Sequence, residues 1–190
     1  MRFEGVKMID ISGLRLSQIY LSQDKLNTVN SWFTPTLENF QPIPVRDFLN
    51  NGNLHMTDGH SRTFVAWQNG LKQIPCIYDE DEMVTCKLGQ RLYENNIEWC
   101  ERYSLQHISD LADRILSEND YDELWRGRCG KMHDLEVALT ENKMCAEEFY
   151  KKKARLQEKT LFIYGISEDY TALYYENALG SLYEIPYSVV

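Results

Sequence analysis

Seven consecutive residues, Thr57, Asp58, Gly59, His60, Ser61, Arg62 and Thr63, gather a carboxylate, an imidazole, a guanidinium and three hydroxyls on one short stretch. Gly59 lacks a Cβ, so the chain can turn sharply there and its backbone can approach a ligand that a side chain would hold off. An amphipathic segment starts at about His60, and the first N–H groups of a helix beginning there have no intrahelical partner. Their partial positive charge suits an anion such as phosphate. Arg62, in that first turn, could clamp the same anion through two parallel bonds. The stretch therefore fits phosphate binding or phosphate chemistry, with Asp58 and His60 as candidate catalytic groups. Gly59, His60, Ser61, Arg62 and Thr63 are the candidate ligand contacts. Each residue also has a plainer role: Asp58 can cap the helix, His60 can donate to a backbone carbonyl, and Arg62 can pair with Asp58 or with the acidic run Asp79–Glu82.

The elements around this corner read as strand, turn, helix, strand. Leu54–Asp58 leads in, Gly70 closes the helix in a position suited to a left-handed residue, and Ile74–Tyr78 resumes extended patterning with Pro75 at an edge or strand start. In the helix, Phe64, Trp67 and Leu71 recur at i, i+3 and i+7 and are predicted to pack on the sheet. Upstream, Val6–Ile11 alternates as a half-buried strand, and Ser22 is a credible cap for a helix over Gln23–Phe33, with Leu26, Val29 and Phe33 on one face beside Trp32. Ile43–Phe48 pairs with Leu54–Asp58 through a hairpin turn at Asn50-Asn51-Gly52-Asn53. Asp79–Glu82 reads either as a divalent-cation site or as a solvated start to the next helix.

Downstream the patterning becomes helical: Lys87–Tyr103, Ser109–Leu116, Tyr121–Arg128 and Leu135–Gln157, followed by an aromatic antiparallel meander over Leu161–Ile166, Ala172–Tyr175 and Ser181–Tyr187. The tyrosines of that meander read as packing rather than as a base-stacking platform. The expected organisation is α+β, with one domain over 1–86 and a helical region with terminal strands over 87–190.

Composition bounds the function. With 190 residues, 43% hydrophobic, the chain can bury an ordinary core. A net charge of −9 argues against a nucleic-acid partner and toward small molecules or proteins. Five scattered cysteines without a CxxC pair suggest reduced thiols in the cytoplasm, and no apolar run approaches the ~20 residues that span a bilayer, so a soluble, cytoplasmic protein is expected. Cys129 and His133 lack a second pair at zinc spacing, and no metal site is predicted.

The order Asp58, Gly59, His60, Arg62, Ala66, Gly70, Ile74 and Pro75, with Ile43-Pro44-Val45-Arg46 upstream, resembles the signature of the ParB/sulfiredoxin-like superfamily over roughly residues 5 to 82. That superfamily includes chromosome-partitioning nucleotide-binding domains, sulfiredoxins and free-serine kinases. Gly59 stands where sulfiredoxin chemistry needs a thiolate, so that reaction is excluded on this resemblance. Against the partitioning proteins' Gly-Glu-Arg-Arg-x-Arg motif, Gly59 and Arg62 are retained, while His60, Ser61 and Phe64 replace its other charged positions. The Asp-Gly-His-x-Arg element of the free-serine kinases is closer. It implies nucleotide-dependent phosphoryl transfer to a small hydroxyl compound, with ATP or ADP and Mg2+ as cofactors. The base of those kinases is a Glu that falls at Ser17-Gln18, so Gln18 is placed as a substrate contact and Asp58 as the substitute base or metal contact. The alternative is a non-catalytic or nuclease-like ParB-family adaptor binding nucleic acid or protein.

Overall fold

A computed structural model describes residues 2–141, 143–146 and 149, the backbone alone at 128, 131 and 140, and the backbone of three strands at 162–166, 172–176 and 182–186. The chain is α+β and divides into two compact units, 1–121 and 122–190.

The first unit is built on a five-stranded mixed sheet. Its strands are β1 (Val6–Asp10), β2 (Leu14–Arg15), β4 (Ile43–Arg46), β5 (Leu54–Met56) and β6 (Gln73–Tyr78), in the order β1-β6-β4-β5-β2. Ile43 and Val45 of β4 and Ile74 and Cys76 of β6 are buried, and the residues between them are more exposed, which is the period-2 pattern of a sheet with one face on the core. Helix α2 (His60–Gln68) fills that core with Phe64, Val65 and Ala66, all completely buried. Each large side chain so buried stabilises the fold by roughly 1.5–3 kcal/mol before entropy is counted. Trp67, expected on the same buried face, is 37% exposed, with its ring against that of Phe64 at 5.5 Å between centroids.

Helix α1 (Gln23–Trp32) lies against α2 and starts where the sequence predicts, with the Ser22 hydroxyl accepting from the Lys25 amide at 3.2 Å. The hairpin turn is also as expected: Asn50 and Gly52 take positive φ, and the Asp47 carboxylate accepts from the amides of Asn51 and Gly52 at 3.1 and 2.9 Å. At the far end of α2, Gly70 takes φ +80°, its amide donates to Trp67 at 2.9 Å and that of Leu71 to Ala66 at 3.1 Å. This pair of bonds is the Schellman closure.

Two expectations are corrected. Pro75 sits inside β6, a strand flanked by β1 and β4. It is tolerated because the parallel pairing to β4 begins one residue later, at Cys76, so the missing N–H costs no ladder bond on that side. Ser109–Leu116 is not a helix: a 3-10 turn over Ile108–Leu111 gives way to β7 (Ile115–Leu116), which pairs in parallel with β3 (Leu21–Ser22). The acidic stretch follows its plainer reading, with Asp81 accepting from the Met83 amide at 2.8 Å to cap α3 (Glu82–Thr85). Helix α4 (Lys87–Arg102) follows, and its Ile97 and Tyr93 pack with Phe48 and Val84. These helices belong to the first unit, whereas their patterning alone groups them with the C-terminal region. The unit ends at α5 (Glu118–Tyr121).

The second unit opens with a π-helical turn over Asp122–Arg126 and α6 (Gly127–Thr140). Its strands β8 (Phe162–Ile166), β9 (Ala172–Glu176) and β10 (Leu182–Pro186) form an antiparallel meander of order β10-β9-β8. The predicted helical patterning beyond 149 and the side chains of the tyrosine stripe lie outside the described residues. Among the described residues, no helix is long and apolar enough to cross a membrane.

Candidate functional site

The chain passes from β5 into α2 through Thr57, Asp58 and Gly59. The end of the strand is pinned on several sides: the Thr57 amide donates to Pro44 at 3.0 Å, the Tyr93 hydroxyl donates to the Thr57 carbonyl at 2.9 Å, and the Thr57 hydroxyl donates to the Asp79 carboxylate. Gly59 then adopts φ +81° and ψ 18°, a left-handed conformation open to glycine at little cost. A Cβ there would lie 2.5 Å from Ile43 Cδ1 and 3.0 Å from Arg62 Nη2. The left-handed φ favours glycine at the corner, and an added Cβ would also force the buried Ile43 side chain to shift.

The amide of Thr63 closes the first turn on the Gly59 carbonyl at 2.9 Å. Ahead of it, the amides of His60, Ser61 and Arg62 have no side-chain or loop acceptor among the described residues. Asp58 does not cap this helix; its carboxylate, 78% exposed, accepts from Arg62 Nη2 at 3.0 Å. Arg62 Nη1 donates to the Gln41 carbonyl at 2.9 Å, so the guanidinium folds back over Gly59, 15% exposed.

His60 is buried, and its Nε2 accepts from the Ser17 amide at 3.2 Å, while the Ser17 hydroxyl donates to the Met56 carbonyl at 2.5 Å. Burial pushes the His60 pKa down to about 3; the nearby Asp58 carboxylate opposes the shift and the Lys25 ammonium adds to it. The ring is therefore neutral near pH 7, with its proton on Nδ1 because Nε2 is the acceptor. Thr63 is fully buried and its hydroxyl has no partner among the described residues.

A cavity of about 320 Å³ opens on this corner. Asp58, Gly59, His60, Ser61 and Arg62 form one wall, and Lys25, Thr28, Val29 and Trp32 of α1 form the other. Gln18 and Tyr121 complete the lining. The structure thus brings together Gln18 and the stretch Asp58–Arg62, and leaves Thr63 out of the cavity. Gln18 is fixed by its side-chain amide, which donates to the Tyr20 carbonyl at 2.8 Å. Lys25 is a lining residue that sequence reasoning does not single out. Its ammonium sits 5.1 Å from the centre of the Tyr121 ring. The only signal for it in the sequence is a cation one turn into a helix whose apolar face ends at Trp32.

No protein-family model and no curated protein matches the chain. Among solved structures it is similar to the C-terminally truncated chromosome-partitioning protein ParB from Caulobacter crescentus, complexed with CTP-gamma-S. The identity is 15%, the match covers 80% of this chain and 99% of that one, and the TM-score is 0.33. At that score the backbones coincide too loosely for positions to be carried from one protein to the other.

Proposed function

We propose that the cavity at the Gly59 turn binds a phosphate-bearing small molecule, a nucleotide foremost. One observation carries the reading: among the described residues the amides of His60, Ser61 and Arg62 have no side-chain or loop acceptor, and they lie at the mouth of a cavity that two cationic side chains also line. A helix start of this kind is a seat for phosphate oxygens. The opposite wall, with Val29 and Trp32, suits the flat, less polar body of a nucleoside. In this reading His60 is a positioning residue, its neutral ring holding the turn against Ser17 and hence setting the place of Gln18. Residues 5 to 82 resemble the ParB/sulfiredoxin-like superfamily in their motif residues, and that resemblance supports the same ligand class.

The reading extends to catalysis on a small hydroxyl compound. ATP or ADP with Mg2+ would supply the phosphoryl group. The donors fit the phosphates, and Asp58 is the carboxylate lining the cavity, which suits a cation that takes one or two carboxylates and fills its shell with phosphate oxygens and water. As the hydroxyl oxygen formed its bond to the terminal phosphorus and the bond to the bridging oxygen of the departing nucleotide broke, Gln18 would orient the hydroxyl and Asp58, where it does not hold the cation, would accept its proton.

A thermal-shift series with ATP, ADP, CTP and inorganic phosphate, with and without Mg2+, tests the binding reading. A ligand held by the folded form at 100 times its Kd adds about 2.7 kcal/mol of stability and raises the midpoint. The expected result is a rise in the wild type that shrinks in Arg62→Ala; silence from the wild type with every ligand rejects the site. Transfer of labelled phosphate to a hydroxyl acceptor, lost in Asp58→Asn, tests the catalytic extension.

A further inference from the structure

We infer that Lys25 is the residue through which this cavity reads ligand charge, so that it takes a terminal phosphate in preference to a phosphodiester. The inference rests on the phosphate-binding reading above and narrows its ligand class.

Two cations line the cavity, and they are committed differently. Arg62 already spends a donor on Asp58 and another on Gln41, so its charge is largely answered by a neighbouring carboxylate. Lys25, on the facing helix, sits over the face of Tyr121 and pairs with no carboxylate among the described residues. The Tyr121 ring is buried, but Lys25 itself is exposed, where a cation–π contact is weak, and a lysine ammonium on its four-carbon stem can leave the ring for a phosphate oxygen. Its field reaches the first turn of α2, since it bears on the titration of His60.

The charges then sort the ligands. The amides of α2 and the remaining donors of Arg62 answer one negative charge, and the Asp58 carboxylate opposes any surplus on that side. A phosphodiester carries one charge and needs nothing more. A phosphomonoester, whose second pKa is about 6, carries a second charge at pH 8 that only Lys25 can meet among the cations lining the cavity. The ligand class is therefore a small molecule ending in a free phosphate or diphosphate, and not a nucleic-acid backbone.

The test is titration calorimetry at pH 8 with AMP and CMP against their 5′-O-methyl phosphodiesters, which keep base and sugar and lose one charge. Wild type should favour the monoesters by about tenfold, the worth of one charge-assisted bond. Lys25→Met should lower monoester affinity about tenfold and leave the diesters within about twofold. Lys25→Arg should restore the preference, and circular dichroism and the thermal midpoint confirm that both variants fold, as expected for an exposed position. Equal affinity of wild type for the two ester classes, or an unchanged preference in Lys25→Met, overturns the role of Lys25 and leaves the phosphate site standing. Failure of wild type to bind any of the four removes the site itself, and Lys25 with it.

Discussion

Helix α1 begins with a serine whose hydroxyl accepts from the Lys25 amide at 3.2 Å, whereas α2, packed beside it, begins at a left-handed glycine with no side-chain cap. Both helices line the same cavity, α2 with its first turn and α1 with Lys25, Thr28, Val29 and Trp32 further along. At α1 the orphan amides are answered locally, in a way worth about 1 kcal/mol. At α2 that local stabilisation is forgone, and the turn is held by other means: the Thr57 anchors and the bond from Ser17 to His60. A helix start fixed firmly from behind and left open in front keeps its amides in place for a ligand. Local capping and ligand capping are alternative uses of the same groups.

Substitution of Gly59 should separate the two starts most sharply. In Gly59→Ala the φ of +81° and the Cβ at 2.5 Å from Ile43 Cδ1 act together. The left-handed conformation costs about 1–2 kcal/mol, and the overlap about 1–3 kcal/mol more. Urea unfolding should show the largest loss of any single change at this corner. A loss smaller than that of Ser22→Ala would mean the turn relaxes freely, and the rigid-corner account would fail.

Acid should act on the α2 side next. The His60 pKa lies near 3 in the folded state because of burial, against 6.5 for an imidazole in water. The unfolded chain therefore binds more protons below pH 6.5. The histidine's contribution is whole above that pH and is lost as the pH falls toward 3. Between pH 8 and pH 5 the loss from His60 amounts to at most about 2 kcal/mol. His55, buried beside Phe48 with a pKa near 4 for the same reason, adds a parallel loss. The measurement is the difference in slope of stability against pH between wild type and His60→Gln, which keeps an acceptor for the Ser17 amide but does not titrate. Identical slopes would show that the ring is not buried neutral.

The parts of this arrangement that were legible in the sequence are those governed by near neighbours. The Ser22 cap, the turn at Asn50–Asn53, the corner at Gly59 and the closure at Gly70 each depend on a backbone conformation or a bond within a few residues. What escaped depends on distant chain. The pairing of Leu21–Ser22 with Ile115–Leu116 joins strands of two residues, too short for any periodicity. Pro75 within a paired strand depends on where β4 happens to start beside it. Trp67 shares its spacing with Phe64, and the sheet's own side chains decide which of them is covered. The site divides in the same way: Gly59 and Arg62 announce themselves by type and spacing, whereas Lys25 enters only because α1 packs against α2.

Ser22→Ala should cost about 1 kcal/mol, through the lost cap on the Lys25 amide. The Ser22 hydroxyl also donates to the Glu118 carboxylate at 2.6 Å, so the change releases α5 as well. Glu118→Ala separates the contributions, since it removes the acceptor of the second bond and leaves the cap on the Lys25 amide in place. A stability equal to wild type in Ser22→Ala would mean that water serves the amide as well as the hydroxyl does, and the contrast between the two helix starts would lose its energetic content.

The smallest expected effect is the most discriminating one. Asp58 stands one residue before the Gly59 N-cap of α2, and its carboxylate is turned to Arg62 and lies 78% exposed. Removing it in Asp58→Ala should change stability by no more than the worth of an exposed ion pair, about 0–1 kcal/mol. The same change frees Arg62 Nη2 and removes a negative charge from the cavity rim. Affinity for inorganic phosphate without Mg2+ should therefore rise a few-fold, on the order of 1 kcal/mol or less. The two readouts move apart only if Asp58 restrains the guanidinium. Were the carboxylate instead a cap on the α2 amides, its loss would destabilise the protein and leave Arg62 where it is. Were it a direct ligand contact, phosphate binding would fall.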